Sequence, residues 1–194
     1  MRLEGLLVDL VPIDKRFDEL EHKWENGEAA FWGDAGGRNF FSHASVEAHQ
    51  KERAEERAKG GTTWVGLGIQ TKAGQPIGVF FLGNMNPYHR TAMFGAQIGE
   101  PDYWGGGYGT DALLLAADYA FNWLDLRKVW LGTMRLNVRV IRQMEKVGFT
   151  LEGTQRGMFL AEGVWYDHLM YGMLADDWPG YAAMIDKLGL KVRP

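Results

Sequence analysis

The segment that most constrains this chain is Tyr103-Trp104-Gly105-Gly106-Gly107-Tyr108-Gly109-Thr110-Asp111-Ala112, in which four glycines run directly into an apolar helical pattern. Glycines at such a junction let several backbone N–H groups converge at a helix N-terminus, where unsatisfied amides and the helix dipole favour an anion. The segment therefore reads as a phosphate cradle. Two common phosphate loops do not fit it: there is no Gly-Lys-Ser/Thr ending, and Thr110 stands where the dinucleotide fingerprint requires its third glycine. No lysine or arginine occurs between Arg90 and Arg127, which assigns the anion to backbone dipoles rather than to side-chain charge.

A second segment narrows the reading. Residues Leu136 to Phe149 form a short helix pattern capped by Asn137, stopped by Gly148 and followed by a strand starting at Phe149. With Ile98-Gly99-Glu100 before the glycine turn, and Glu152-Gly153 and Gly163-Val164-Trp165-Tyr166-Asp167 after it, the order resembles the GNAT superfamily of acetyl-CoA-dependent N-acetyltransferases, in particular its RimJ/RimL-like branch. The resemblance covers most of the chain after Pro76. It implies a GNAT-like α+β fold: a mixed, mostly antiparallel central sheet with a splayed parallel strand pair and helices on both faces.

Composition agrees with one such domain over residues 1–194, long enough to bury a substantial core and free of repeats. No apolar run reaches membrane-spanning length and the N-terminus lacks a signal-peptide pattern, so a cytoplasmic address is expected. The absence of cysteine excludes disulfides, thiolate metal sites and a cysteine nucleophile. No histidine pair has a metal-ligand spacing, and no metal is expected. A net charge of −4 argues against a nucleic-acid surface. Arg53, Arg57 and Lys59 alternate with Glu52, Glu55 and Glu56 as a solvated helix face does.

Periodicity predicts a strand over Leu3 to Val11, a helix over Ile13 to Glu25 and a Ser45-capped surface helix reaching Lys59. Three antiparallel strands follow, from Thr62 to Gln70, from Ile77 to Asn84, and in the run ending at Glu100; the turns are 72–76 and 86–90. A helix runs from about Thr110 to Leu124, with Ala112, Leu115, Ala116, Tyr119 and Trp123 on one face suited to a sheet. The strand Lys128 to Met134, the Asn137 helix, a hairpin of Phe149 to Leu160 with Val164 to Leu174, and a helix within Trp178 to Leu188 complete the reading.

Gly95 and Gly99 interrupt a strand-like run, as glycines do at a bulge or where a ligand nears the backbone. The resemblance implies that this strand splays from its parallel neighbour and pairs with the pantetheine arm of acetyl-CoA near Gln97, Ile98 and Gly99. An oxyanion donor is expected near Gly99. The pyrophosphate is expected over Gly105, Gly106, Gly107, Tyr108, Gly109 and Thr110, with Asn137 touching the coenzyme. Trp104 is usual for the RimJ/RimL-like branch, whereas Gly106 stands where many relatives carry a basic residue.

An incoming ammonium group must lose a proton before it attacks, and Glu100 is the leading candidate to take it, directly or through water, with Asp102 second; capping of the turn is the competing role for Glu100. Loop histidines His43 and His89 receive no role, and His168 is expected to be structural. The family commonly protonates the departing thiolate with a tyrosine before Glu-Lys-x-Gly-Phe or a serine after the leading asparagine. This chain has Met144 and Val140 there, leaving water, Tyr108 or Tyr166 as alternatives.

Trp24, Phe31, Trp32, Phe40 and Phe41 cluster in the N-terminal part, and Met158, Phe159, Trp165 and Tyr166 in the closing hairpin. Trp32, Phe41 and Tyr166 are the candidate substrate contacts, and Glu28, Asp34, Glu162 and Asp167 suit a cationic amine. The expected partner is a peptide or small-molecule amine, with a protein N-terminal amine ahead of a polyamine or aminoglycoside, and family habit implies a homodimer. A noncatalytic acyl-CoA-binding or regulatory module of the same fold is the alternative.

Overall fold

A computed structural model describes residues 1–33, 36–58 and 63–192, with backbone only for 56–58. Asp34, Lys59 and Thr62 lie outside the described residues, as do the side chains of Glu56 and Arg57. The element order is β1 (Leu3–Glu4), β2 (Val8–Pro12), α1 (Lys15–Glu25), α2 (Glu28–Gly33), α3 (His43–Ala58), β3 (Val65–Thr71), β4 (Pro76–Asn86), β5 (Thr91–Ile98), α4 (Tyr108–Asn122), β6 (Lys128–Met134), α5 (Val138–Val147), β7 (Thr150–Ala161), β8 (Val164–Leu174) and α6 (Tyr181–Leu188). One eight-stranded sheet carries them in the order β1-β2-β3-β4-β5-β6-β8-β7. Every neighbouring pair is antiparallel except β5 with β6. This is the α+β, mostly antiparallel architecture with one parallel pair that the sequence implied.

The β5–β6 pairing positions the site. Only Thr91–Lys128, Ala92–Val129 and Met93–Trp130 are in register, so beyond Met93 and Trp130 the two strands diverge. Each divergent strand stays paired on its other side, β5 with β4 and β6 with β8. The opening is thus held by its walls.

Alternation along β5 divides the core in two. Ala92 and Phe94 enter the main core, where α4 packs with Leu113, Leu114, Ala116 and Ala117 all nearly inaccessible. Gly95 and Gly99 face the other side, beneath Phe81 and Trp24, where α1 and α2 cover the sheet. A Cβ at Gly99 would stand 2.3 Å from the Trp24 ring. The missing Cβ at these two glycines lets the Phe81 and Trp24 rings approach the strand closely.

Several boundaries differ for local reasons. The expected first strand is a hairpin, because Gly5 donates to the Val8 carbonyl at 2.9 Å and turns the chain back. Ser42, rather than Ser45, caps α3: its hydroxyl accepts from the Ser45 N–H at 3.1 Å. Trp123 ends α4 with 70% of its surface exposed instead of packing on the sheet. Helix α2 was missed, being a six-residue helix in an aromatic stretch without clear periodicity. The Lys128–Met134 strand, the Asn137 and Gly148 caps of α5, and the Val164–Leu174 strand stand where the sequence put them.

Candidate active site

The glycine turn sits at one end of the β5–β6 opening. A short 3-10 turn, Pro101–Tyr103, leads from β5 into it, and Gly105 and Gly107 adopt positive φ of 71° and 91°. Gly107 is the N-cap of α4, and the first bond of the helix is Asp111 N–H to the Gly107 carbonyl at 2.8 Å. The N–H groups of Tyr108, Gly109 and Thr110 precede that bond and point out of the helix end, the arrangement that receives an anion. Space for close approach exists at Gly105, where nothing lies within 4 Å of a Cβ position.

What holds the turn is distant in sequence. Asp111, inaccessible to solvent, accepts from the N–H groups of Leu7 at 2.7 Å and Val8 at 3.0 Å through one oxygen, and from the Tyr181 hydroxyl at 2.6 Å through the other. The Tyr181 hydroxyl in turn accepts from Leu6 N–H at 2.7 Å. Burial and the Asp111 carboxylate push the Tyr181 phenol far upward, so it remains a neutral donor. One carboxylate thus fastens the first turn of α4 to the β1–β2 hairpin and to α6. Tyr103 adds a link from the turn to the β3–β4 hairpin, its hydroxyl 2.9 Å from Gln75 Oε1, and packs edge-on to Tyr108.

Trp104 crosses from the turn to β5, its indole N–H donating to the Ile98 carbonyl at 2.8 Å. Above Trp104 lies the Arg139 guanidinium, 4.3 Å from the ring centroid and 5.5 Å from that of Trp32. Arg139, in the first turn of α5, therefore links the β5 side, the β6 side and α2 through cation–π contacts. It corrects one expectation. No basic residue is local to the glycine turn in sequence, yet the fold brings Arg139 to its edge, and sequence spacing carried no signal of this.

At the end of β5 the chain bulges. Gly99 and Glu100 both donate to the Ile77 carbonyl, at 2.8 Å and 3.3 Å. The bulge is where the sequence placed it, but the Gly99 N–H is committed to β4 and is not free to receive an oxyanion. The Ile98 carbonyl, which Trp104 reaches, faces the open side of β5, and in extended chain the Ile98 N–H points the same way.

Glu100 is held fast. Lys23 Nζ lies 2.7 Å from both carboxylate oxygens and Trp24 Nε1 donates to Oε1 at 3.0 Å. Burial pushes this carboxyl up, but the Lys23 and Trp24 hydrogen bonds and the Lys23 charge outweigh burial and hold it below the ordinary carboxylate range. A carboxylate so engaged anchors α1 to the end of β5 and is a weak proton acceptor. Lys23 and Trp24, which no sequence argument paired with Glu100, make the difference.

Along α2 runs an acidic, aromatic cleft of about 600 Å³ lined by Glu25, Glu28, Phe31, Trp32, Phe40 and Glu162, among others. Arg38 reaches across it, 2.6 Å from Glu162 and 5.1 Å from the Phe31 ring centroid. Trp32 and Phe40 line the cleft, while Phe41 is turned toward His49 on α3 and bound through its backbone to Asn26. Tyr166 stands opposite Phe159 in the β7–β8 ladder, outside that lining. Asp167 is engaged by Gly157 N–H and Arg135.

On α5, Asn137 caps the helix by accepting from Val140 N–H at 3.4 Å, with its side chain almost buried. Val140 packs against the main core and Met144 is 2% exposed within it. Gln143 bridges α5 to Thr110 of the glycine turn at 3.2 Å. His43 stacks on His22 at 3.6 Å, His89 lies in the 87–90 turn, and His168 bonds Gln155 at 2.9 Å on β8. Among the described residues no helix is long and apolar enough to cross a membrane, and no group of three or more metal-ligating side chains occurs.

Comparison with known proteins agrees with this geometry. The Acetyltransferase (GNAT) domain family matches residues 9–150. The spermidine N(1)-acetyltransferase of Escherichia coli K12 is 37% identical over 90 residues, 46% of this chain and 48% of that protein. The chain spans about half the length of the curated relatives it matches. Among solved structures, RimJ of Mycobacterium smegmatis in complex with CoA-disulfide superposes with a TM-score of 0.81 at 21% identity, covering 98% of this chain and 95% of that one. The spermidine N-acetyltransferase of Vibrio cholerae, in complex with CoA and spermine, gives 0.77 at 20% identity over 88% and 97%. The splayed β5–β6 pair, the glycine turn capping α4 and the family match converge on one assignment: the chain belongs to the GNAT acetyltransferase domain family.

Proposed function

We propose that this protein is a cytoplasmic, acetyl-CoA-dependent N-acetyltransferase that moves the acetyl group to a primary amine by direct attack in a ternary complex. The observation that carries the reading is the opening between β5 and β6 with the amide-rich start of α4 at one end, joined through Arg139 to Trp32 of an acidic, aromatic cleft. A phosphate-bearing thioester fits the opening and a cationic amine the cleft. The Trp104-containing turn supports the RimJ/RimL-like branch within the family.

Acetyl-CoA supplies the activated acetyl group when bound. The amides of residues 105–110 would hold its pyrophosphate, with Arg139 as the neighbouring cation, and Ile98 on the open edge of β5 would pair with its amides. Glu100, bound by Lys23 and Trp24, sets the position of the β5 terminus, and the ammonium proton leaves through water in the cleft. Water, Tyr108 in the first turn of α4, or Tyr166 would serve the departing thiolate.

One observation favours a second reading. The two α5 positions that would carry a thiolate acid are Val140 and the buried Met144, neither of which donates a proton, as a noncatalytic acyl-CoA-binding module would allow. Release of free thiol from acetyl-CoA across peptides, polyamines and aminoglycosides, with thermal shift in parallel, separates the two. Amine-dependent release supports the enzyme; stabilisation by coenzyme without release from any amine supports the module. Gly107→Val forces a β-branched residue to φ 91° with Leu7 and Leu190 little more than 3 Å from its Cβ, and coenzyme stabilisation should vanish. Undiminished affinity would sink the cradle.

A further inference from the structure

Two buried side-chain nitrogens among the described residues have no hydrogen-bond partner: Trp32 Nε1 and Gln97 Nε2. They belong to one place. Gln97 lies on β5 beyond the last pair with β6, and its amide packs against α2 at Gly33, the residue after Trp32, where a Cβ would stand 3.7 Å from Gln97 Cδ. Trp32 in turn lines the cleft that holds Glu25 and Glu28, and its ring is steadied by Arg139.

An indole nitrogen and an amide NH₂ can only donate, and enclosed donors without an acceptor are rare in folded proteins because each loses its hydration without replacement. Both unanswered groups here are donors; Trp32 belongs to the cleft lining, and Gln97 lies on the face of β5 that packs against α2. We propose that Trp32 and Gln97 are specificity-determining residues that receive a carbonyl oxygen adjacent to the reactive amine, selecting an aminoacyl or peptide N-terminus over an alkyl polyamine. A fully ionised polyamine brings only further N–H donors and leaves both groups unanswered. A peptide N-terminus brings an ammonium for the glutamates and a carbonyl for the two donors. Both nitrogens are enclosed, so α2 lifts from β5 as the ligand enters; glycine at its last position leaves that contact without a side chain on the helix side.

This inference rests on the acetyltransferase reading, and the test keeps the two apart. The probes are alaninamide and its counterpart in which a methylene replaces the carbonyl. The wild-type kcat/KM ratio should favour alaninamide by about tenfold or more, a hydrogen-bonding preference of ordinary size, and Trp32→Phe and Gln97→Met should each lower that ratio about tenfold. A wild-type ratio near one, or a ratio that neither substitution changes, overturns the proposal while leaving an amine acetyltransferase in place. The second readout needs no turnover: the indole N–H resonance of Trp32 in coenzyme-loaded protein carrying isotope-labelled tryptophan, assigned by its loss in Trp32→Phe. Alaninamide should move it and the methylene analogue should not. That shift without thiol release from any amine would retire the enzyme and keep the recognition site, whereas equal or absent shifts overturn the recognition site directly.

Discussion

The two faces of the sheet treat polar groups in opposite ways. On the α4 face, the buried Asp111 carboxylate is answered by Leu7, Val8 and Tyr181, and the turn it supports is fixed from three directions. On the α1–α2 face, Trp24 and Glu100 are locked together, but a few ångströms along β5 Trp32 and Gln97 donate to nothing. On the proposed function, a surface that presents amides to a pyrophosphate gains from being built in advance, and one that recognises an acceptor keeps part of its hydrogen bonding for that acceptor.

The sharpest way to break this comparison is Asp111→Ala, which strands two backbone N–H groups and a phenol in the core. It should destabilise the protein by about 3–5 kcal/mol and weaken coenzyme binding, read from urea midpoints and a coenzyme titration. A loss under about 1 kcal/mol would show that the α4 face does not depend on this anchor.

A smaller effect is expected from Gly99→Ala on the opposite face. The added Cβ meets the Trp24 ring at 2.3 Å, so the indole must move and its bond to Glu100 breaks. Overpacking of this kind costs about 1–3 kcal/mol. Coenzyme affinity should survive while amine kcat/KM falls; equal damage to both would mean that the faces are not independent.

The smallest is Glu100→Gln. Because partners hold the folded carboxyl below its ordinary value, its stabilisation is complete above the unfolded value near about 4.3 and is lost as pH falls through the lower folded value. The glutamine cannot titrate, so the variant should lose about 1 kcal/mol at neutral pH and show a flatter acid limb of stability. An unchanged acid limb, or a kcat–pH profile that loses a basic group, would return Glu100 to the role of proton acceptor.

Much of the glycine turn and of α5 was legible because the signals are local. Gly105 and Gly107 adopt the positive φ that favours glycine, and Asn137 and Gly148 bracket α5 with its own caps. The α1–α2 side was not legible in the same way. Helix α2 is too short to show periodicity, Phe40 and Phe41 differ in role though adjacent, and Gly95 and Gly99 read equally well as ligand approach or as floors for aromatic rings.

The sequence by itself determined the order of elements from β3 onward, the glycine-capped start of α4 and the family to which they point, because turns, caps and alternation are written in neighbouring residues. Only the tertiary structure decided that Lys23 would occupy Glu100, that Arg139 would stand between Trp32 and Trp104, and that Asp111 would tie Leu7 to Tyr181. The direct contacts join residues up to 107 positions apart, and Asp111 bridges Leu7 and Tyr181, 174 positions apart. Charge and hydrogen bonding act over a few ångströms of space, and sequence distance carries no record of that proximity.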